Sequence, residues 1–567
     1  MFQHAGFHRL APLLGALVLV LAPLLSVARP QPTIAAGVVS ECTEAALRNA
    51  LAGGGYISFS CSGVIKLAGQ LEITQNTIID GDGQVTLDGQ YQTRLITIDS
   101  GVSVNLVELA LANGSLSLTG GTGGAIDNYG TLGILNSTVT GSSALDAGAI
   151  INRIGATLVI GESTLSGNGA TVSGGAIVNS GNLTIVASTV TGNRSRFAPA
   201  LDNTSYGTAT IAASTFSGNS SSDDPGGAIF NDGQLTVNAS TLANNTGGAI
   251  YNNIGAVQLT ANILSGANVC GGPNAIGSKG YNVVSDGTCN LTAAGDLQNA
   301  NPLLGPLMNN GGPTETFMPQ PGSPAIGRVP NGVCLNLGVL SNGFDQRGAQ
   351  RPKSLGASCD SGSAETGANV QVQVHGVHVS PAVLDEGGHA TISVAASGPA
   401  DDALHYTFGC PDGAVGPQPA PVAECFFAEP GEYAVPVTVS EAARPDNSDD
   451  ESAAVTVHNL APVIERVSIY QDRSLVAVHV EAADPGGGEL RYRFDCAGTI
   501  IGPWAAPEVL CDVGDQTGEL TIQVEVSDAQ QASASYSVVV ELPTSICGWR
   551  VQRPPPPPDE AGWTCAP

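Results

Sequence analysis

Residue types that could do chemistry are sparse in the long repetitive part of this sequence. No histidine lies between His8 and His375, so a serine or cysteine nucleophile in that part has no imidazole base nearby in the chain. Arg194 and Arg196 lie close in sequence to Asp202. Cations beside a carboxylate could contact an acidic polymer or help to neutralise a uronate group. These three residues are a candidate contact set, and no catalytic residue is predicted.

The carboxylates of the repeats also give little indication of a catalytic site. Glycoside hydrolysis uses a pair of carboxyl groups, and the adjacent acidic pair in the repeats, Asp223 and Asp224, stands in a serine-rich stretch typical of a solvated turn. The Asp-Gly-Asp-Gly segment at 80–83 has the oxygen ligands that calcium prefers, but it lacks the further spaced ligands of an EF-hand loop. A turn is favoured there, as it is at Asp484 and Asp495. No cofactor is predicted, with calcium kept as an alternative.

The elements that would position these residues follow from a repeat. Between Gly123 and Gly266, the pattern L-x-I-x-x-S-T-V returns about every 25 residues, and a period of this size is typical of a solenoid. L-x-I alternates apolar and polar residues, as in a short strand with one buried face. Gly and Asn mark the turns, and helical periodicity is absent from the repeats. Each repeat is therefore predicted to form one coil of a parallel β-helix.

A second phrase, G-G-A-I-x-N, interleaves with the first and places an asparagine at one point of each coil. Stacked coils would bring these side chains into a hydrogen-bonded ladder with an architectural role. The predicted ladder consists of Asn128, Asn152, Asn179, Asn203, Asn231 and Asn252.

Together the two phrases resemble the repeats of bacterial right-handed parallel β-helix proteins, relatives of the polymorphic outer-membrane protein repeats. The resemblance implies an exported surface or secreted protein and says little about activity. A later stretch reads N-P-L-L-G-P-L-M-N-N-G-G-P-T-E-T-F-M-P-Q-P-G-S-P-A-I-G, and D-Q-R-G follows at 345–348. These two segments are similar to the choice-of-anchor Q module that closes many such proteins. This chain lacks the aromatic residue that usually precedes the last glutamate of that module. As a cap, the segment would use Arg347 and Arg351 to anchor carbonyls or carboxylates.

Residues 370–543 have a different sequence pattern from the repeats that precede them. Two stretches align at an offset of 86, so that Leu404–Cys410 matches Leu490–Cys496. Their strict apolar–polar alternation predicts half-buried strands and hence two β-sandwiches. The phrase A-A-D-P-G-G-G-E-L-R-Y-R-F-D-C resembles PKD-like and Ig-like modules, which implies spacing, stiffening or adhesion.

The twelve cysteines fall into six neighbouring pairs without metal-type C-x-x-C spacing, which predicts six local disulfides in an oxidising compartment. The predicted pairs are Cys42–Cys61, Cys270–Cys289, Cys334–Cys359, Cys410–Cys425, Cys496–Cys511 and Cys547–Cys565.

Residues 1–28 have the features of a secretory signal peptide: His8 and Arg9, an apolar run, and the small-residue site Ser26-Val27-Ala28.

A formal net charge of −29 with only 20 Lys and Arg argues against nucleic acid as a partner. No membrane-spanning segment is predicted in the mature chain. The predicted division is 1–28 signal peptide, 37–300 β-helix with an N-terminal helical cap, 301–366 C-terminal cap, 370–459 and 460–543 Ig/PKD-like domains, and 544–567 proline-rich tail closed by a disulfide.

The sequence therefore predicts an all-β chain, a right-handed parallel β-helix followed by two Ig-like sandwiches. The predicted function is that of an exported, non-catalytic protein, secreted or attached to the cell surface, that adheres to or presents glycans or other surface polymers. The alternative is an extracellular polysaccharide lyase or hydrolase with its site in the β-helix turns. The ligand and the oligomeric state are left open.

Overall fold

The computed structural model describes residues 37–116, 120–223, 226–337, 343–354, 356–399, 404–472, 475–514 and 516–542. The predicted signal peptide and the tail with Cys547 and Cys565 lie outside these residues. The chain is all-β, with a parallel β-solenoid of about 8 turns followed by antiparallel sheets that form Ig-like sandwiches. The predicted fold class is confirmed.

The solenoid is built from three parallel sheets that run along its length. We call them the broad sheet, the asparagine sheet and the short sheet. The broad sheet has 19 strands: Gly37–Val39, Gly55–Phe59, Gly63–Lys66, Thr77–Asp88, Ser103–Ala112, Thr131–Leu135, Thr138–Thr140, Thr157–Gly161, Thr164–Ser166, Asn182–Val186, Thr189–Thr191, Thr208–Ala212, Thr215–Ser217, Gln234–Asn238, Thr241–Ala243, Ala256–Thr260, Ile263–Ser265, Ile276–Ser278 and Val283–Val284. The asparagine sheet has nine: Leu71–Ile73, Ile96–Ile98, Ile126–Asn128, Ile150–Asn152, Ile177–Asn179, Leu201–Asn203, Ile229–Asn231, Ile250–Asn252 and Cys270–Gly271. The short sheet has four: Ser143–Ala144, Gly169–Ala170, Arg194–Ser195 and Ser220–Ser221.

The repeat columns coincide with the strand register. Leu158 pairs with Leu132 on one side and Leu183 on the other, and each is at most 2% exposed. A glycine pair precedes the asparagine-sheet strands that begin at Ile126, Ile177, Ile229 and Ile250. It lets neighbouring coils approach closely, since a Cβ on Gly124 would lie 2.3 Å from the carbonyl oxygen of Gly148. Burial of these stacked aliphatic columns is the main stabilising term of the solenoid.

An amphipathic helix, Glu44–Leu51, lies against the first coil. Thr43 is its N-cap and accepts a hydrogen bond from the Ala46 amide at 3.3 Å, as the sequence predicts. Leu47 and Ala50 are buried in the solenoid core. The helix thus covers apolar surface that an end coil would otherwise expose.

The segment after the solenoid contains an antiparallel hairpin, Leu304–Met308 with Thr316–Pro319, and a helix, Asn331–Leu337. Arg347 donates to Asp345 and to the Glu365 carbonyl, both at 2.7 Å. The segment was expected to cap the stack, and its contacts extend along the side of the coils as well. The coil residues that it contacts include Thr189, Thr215 and Thr241.

Each sandwich has its own buried core. The first pairs a three-stranded sheet, Gln373–Ser380, Gly388–Ser397 and Val422–Phe427, with a five-stranded sheet, Val383–Asp385, Ser448–His458, Gly431–Glu441, Leu404–Cys410 and Gly413–Gln418. The second pairs Val463–Asp472, Leu475–Ala483 and Glu508–Asp512 with Thr499–Trp504, Arg491–Cys496, Gly518–Ser527 and Ser533–Leu542.

Candidate functional site: a groove beside the first sandwich

A sharp corner lies one residue before the recurring serine, or before Leu109 or Asn262 at the equivalent position of two coils, and the residue at this corner has a positive φ. The angle is 49° at Glu108, 45° at Asn136 and 51° at Glu162, whereas alanine occupies the corner in the next four coils. The adjacent strands of these three coils pair in register. Because neighbouring coils stand about 4.8 Å apart, Glu108 and Glu162 are separated by roughly 10 Å along the axis.

The first sandwich contacts the solenoid beside this corner. Gln84 of the solenoid donates to Ser393 Oγ at 3.0 Å, and His378 Nδ1 lies 3.2 Å from Asp82 Oδ2. The 80–83 segment is therefore part of a contact between modules rather than a fully solvated turn.

Between the two modules runs an open groove of about 480 Å³, within the range of roughly 300–1,000 Å³ typical of small-molecule sites. Its polar lining comes from Glu108, Asn136 and Glu162 of the solenoid and His375 and Ser397 of the sandwich. Its apolar lining includes Pro313, Pro399 and Leu404.

Burial shifts the pKa values of the ionisable groups of this groove in the direction that favours their uncharged forms. It raises the pKa of Glu108 to about 8, with a further contribution from the charges of Asp80, Asp82 and Glu451. Burial also raises the pKa of Glu162 to about 7 and lowers that of His375 to about 4. Protonated carboxyl groups donate hydrogen bonds, so the groove presents uncharged donors and acceptors.

The arrangement is incomplete for hydrolysis. His375 Nε2 lies 2.7 Å from Ser397 Oγ, but no carboxylate of the described residues hydrogen-bonds to its other ring nitrogen, as the orienting group of a serine triad would. Glycosidases need one ionised and one protonated carboxyl group. Here the pKa values of Glu108 and Glu162 are raised to about 8 and about 7, so they lie close together instead of being pushed far apart by their environments. The groove is better suited to hold an uncharged hydroxylated ligand than to cleave it.

Arg196 and Asp202 of the predicted contact set have different partners in the structure. Arg196 pairs with Asp223 at 2.5 Å and lies over the Phe197 ring, whereas Asp202 accepts a hydrogen bond from Ser173 at 2.5 Å. Burial raises the pKa of Asp202. Arg194 is exposed on the short sheet. Asp223 is thus an ion-pair partner, while Asp224 lies outside the described residues.

Polar rows inside the coils are used for stacking. In the asparagine sheet, each side-chain amide donates to the next along the chain, from Asn128 to Asn152 at 2.8 Å and onward to Asn252. In the serine row, the Ser137 amide donates to Ser163 Oγ at 3.1 Å, and Ser163 Oγ donates to the Gly161 carbonyl at 2.7 Å. A second buried asparagine ladder was not predicted, although the G-N that ends each repeat could have indicated it. Its members are Asn168, Asn193, Asn219 and Asn245.

The structure contains five disulfides, in the pairs that the sequence predicts; the sixth pair lies outside the described residues. The five are Cys42–Cys61, Cys270–Cys289, Cys334–Cys359, Cys410–Cys425 and Cys496–Cys511.

Sequence reasoning missed the groove residues Glu108, Glu162 and His375. The two glutamates occupy one column, but the residue type there changes from coil to coil, so no repeated letter marks it. His375 follows the coils in sequence and comes to them only through the packing of the sandwich. A charged residue directly before a buried serine or leucine would have been a weak signal.

No protein-family model matches this sequence, and no curated protein matches it either. Solved structures similar to part of the chain include the PKD1 domain of Vibrio anguillarum Epp, 21% identical over 15% of this chain and 96% of that chain, with a TM-score of 0.13. Fibronectin(III)-like modules of Clostridium thermocellum CbhA are 19% identical over 29% of this chain and 93% of that chain, with a TM-score of 0.13. The human desmocollin-1 ectodomain is 14% identical over 30% of this chain and 36% of that chain, with a TM-score of 0.16. At these values the likenesses carry no argument about activity. Within the described residues, no helix has the length and apolarity needed to cross a bilayer.

Proposed function

We propose that this chain acts outside the cell as a non-catalytic β-helix protein that binds and presents a glycan or another surface polymer. The observation that carries the proposal is the groove, where Glu108 and Glu162 offer uncharged carboxyl groups beside a neutral His375. Saccharide hydroxyl groups both donate and accept hydrogen bonds, and protonated carboxyl and neutral imidazole groups complement them.

The charge of the chain narrows the ligand class. The formal net charge is −29, which repels polyanions at long range. An uncharged saccharide is therefore the favoured ligand, with the apolar surfaces of Pro313, Pro399 and Leu404 available to the C–H faces of its rings.

Export is supported by the disulfides, which persist in oxidising compartments. The rigid stack, with the first sandwich packed against it, suits a protein that holds a ligand in a fixed position. On the basis of this architecture, we propose that the chain adheres to its ligand and presents it.

The experiment is a screen of neutral and acidic oligosaccharides against the full purified chain, followed by pH titration of any binding. Ionisation of Glu162 and Glu108 removes their donors, so affinity for a neutral saccharide should fall as pH rises from about 6 to about 9. A variant with Glu108→Gln and Glu162→Gln keeps amide donors at every pH and should bind with little pH dependence. Glu72→Gln, on an exposed position of the asparagine sheet, is the matched control and should behave as the wild type. Exclusive binding of acidic polymers, or equal pH dependence in the double variant, would contradict the proposal.

A further inference from the structure

The outer face of the three-stranded sheet of the second sandwich carries an open cleft. Across this face Tyr470 pairs with Ala477, and Ala477 pairs with Leu510. Neighbouring strands lie about 4.8 Å apart, so Tyr470 and Leu510 stand roughly 10 Å apart with the small Ala477 between them. The cleft has a volume of about 410 Å³, and its lining residues all belong to the three strands of this sheet. It is separate from the groove beside the first sandwich.

Large apolar side chains on this face are open to solvent. Tyr470 is 73% exposed, Leu510 is 61% exposed, and Leu475 on the same face is 41% exposed. Exposed apolar groups that cluster on one face, rather than being scattered singly, mark interaction surfaces.

The same face of the first sandwich is a docking surface within this chain. The two sandwiches align at an offset of 86 residues, so Ser393 of the first corresponds to His479 of the second. Ser393 accepts a hydrogen bond from Gln84 of the solenoid at 3.0 Å, and His378 on the neighbouring strand is 5% exposed beside Asp82. His479 is exposed. The solenoid thus covers this face in the first sandwich, whereas the described residues leave it open in the second.

The chain leaves the second sandwich close to the cleft. Leu542 ends the last strand opposite Gly518, at the end of the sandwich where the strand Glu508–Asp512 also ends. Leu510 lies two residues, roughly 7 Å, before that end, and packed sheets lie about 10 Å apart. Trp549 follows Leu542 by seven residues, which span up to about 24 Å when extended. Trp549 can therefore reach the cleft.

The charges at the edge of the cleft favour this segment over a second copy of the chain. Glu508 and Asp512 are exposed at that edge, and Trp549 is followed by Arg550 and Arg553. Opposite charges favour contact, whereas the same face of a second copy would bring Glu508 and Asp512 against their own equivalents. The formal net charge of −29 adds to that repulsion.

We propose that segment 546–553 docks on this face and that the Trp549 indole fills the cleft over Ala477. The ring covers the exposed apolar surface and is itself removed from water. The two arginines of the segment then lie beside the acidic edge. The chain's own tail thus covers the sheet face of the second sandwich, as the solenoid covers that of the first.

The test uses the fluorescence of Trp549 in the full chain. The chain has three tryptophans, so Trp504→Phe and Trp563→Phe leave Trp549 as the single emitter. We expect blue-shifted emission and an acrylamide quenching constant several-fold smaller than in the free peptide 543–567 that carries the same Trp563→Phe change. Protection that persists on dilution supports docking within one chain. Protection that disappears on dilution would mean that a second copy covers the face, which would overturn the proposal.

Substitutions on the face show where Trp549 lies. In the single-tryptophan chain, Ala477→Arg fills the cleft and adds a cation near the arginines of the segment, so quenching should rise to the value of the free peptide. Tyr470→Ser removes one wall of the cleft and should raise quenching in the same direction. The matched control is Tyr536→Ser, which removes an exposed tyrosine from the other sheet of the same sandwich and should leave quenching unchanged.

Variants are compared when their circular dichroism matches that of the parent chain, and Tyr470→Ser decides the matter where Ala477→Arg does not fold. Quenching of Trp549 in the parent chain that equals quenching in the free peptide would overturn the proposal. So would protection that the substitutions at Ala477 and Tyr470 leave intact.

Discussion

Gln346 accepts a hydrogen bond from Thr215 Oγ1 at 2.6 Å, although 131 residues separate them. Its amide nitrogen donates to Thr189 Oγ1 at 2.8 Å and to Thr314 Oγ1 at 2.9 Å. One fully buried side chain therefore joins two successive coils to the segment that follows them. The long segment between the solenoid and the first sandwich is thus fastened along the side of the stack by specific polar contacts.

This arrangement predicts that Gln346→Ala destabilises the chain by about 1–3 kcal/mol, because Thr189 and Thr215 lose a buried partner. The free energy of unfolding is measured by urea titration, with a signal that reports the unfolding of the solenoid alone. Gln350→Ala, at an exposed position four residues away, is the control and should change the free energy of unfolding by less than about 0.5 kcal/mol. Equal midpoints for the two variants would show that the segment does not depend on this contact.

The coil register makes a second prediction. Leu183 is 2% exposed in the core, whereas Thr184 points outward on the same strand. Leu183→Asp should cost several kcal/mol by leaving an unpaired charge in the core, and Thr184→Asp should be mild. Thermal melting of the two variants measures this difference, and similar melting temperatures would mean that the register is wrong.

Glu108 makes stability depend on pH. Its pKa is raised from 4.5 to about 8 in the folded chain, so between these values the folded chain binds more protons than the unfolded chain. The contribution of Glu108 is then fully present below about pH 4.5 and is lost as pH rises toward about 8. Melting temperatures across this range should fall less steeply in Glu108→Gln than in the wild type. A variant that loses stability with pH as steeply as the wild type would refute the assignment to Glu108.

The cysteine pairing predicts the peptide map of the unreduced protein. Five linked peptide pairs should match the five disulfides of the structure, and Cys547 should be linked to Cys565. Each pair lies within one module, so a bridge such as Cys289 to Cys410 would contradict the modular organisation.

Much of the solenoid is predictable because its contacts join equivalent positions. Stacking places Leu132, Leu158 and Leu183 in one column, so a periodic sequence specifies its own register. Asn128 and Asn152 meet for the same reason.

The groove is not of this kind. Glu162 and His375 come from different modules, and their meeting depends on how the modules pack. Alternation and repeat spacing hold no information about that packing. The Arg194, Arg196 and Asp202 set shows the converse, since proximity in sequence did not bring Arg196 to Asp202: Arg196 pairs with Asp223 of the next coil.

We propose that the groove binds a saccharide without cleaving it. The most direct measurement incubates the full chain with the saccharide that it binds and counts new reducing ends, together with the absorbance of unsaturated product, per protein molecule. We predict saturable binding and less than one cleavage event per chain. Neither result should change in the variant that carries both Glu108→Gln and Glu162→Gln. Repeated turnover that this double variant abolishes would contradict the account and would make the groove the active site of a polysaccharide-degrading enzyme.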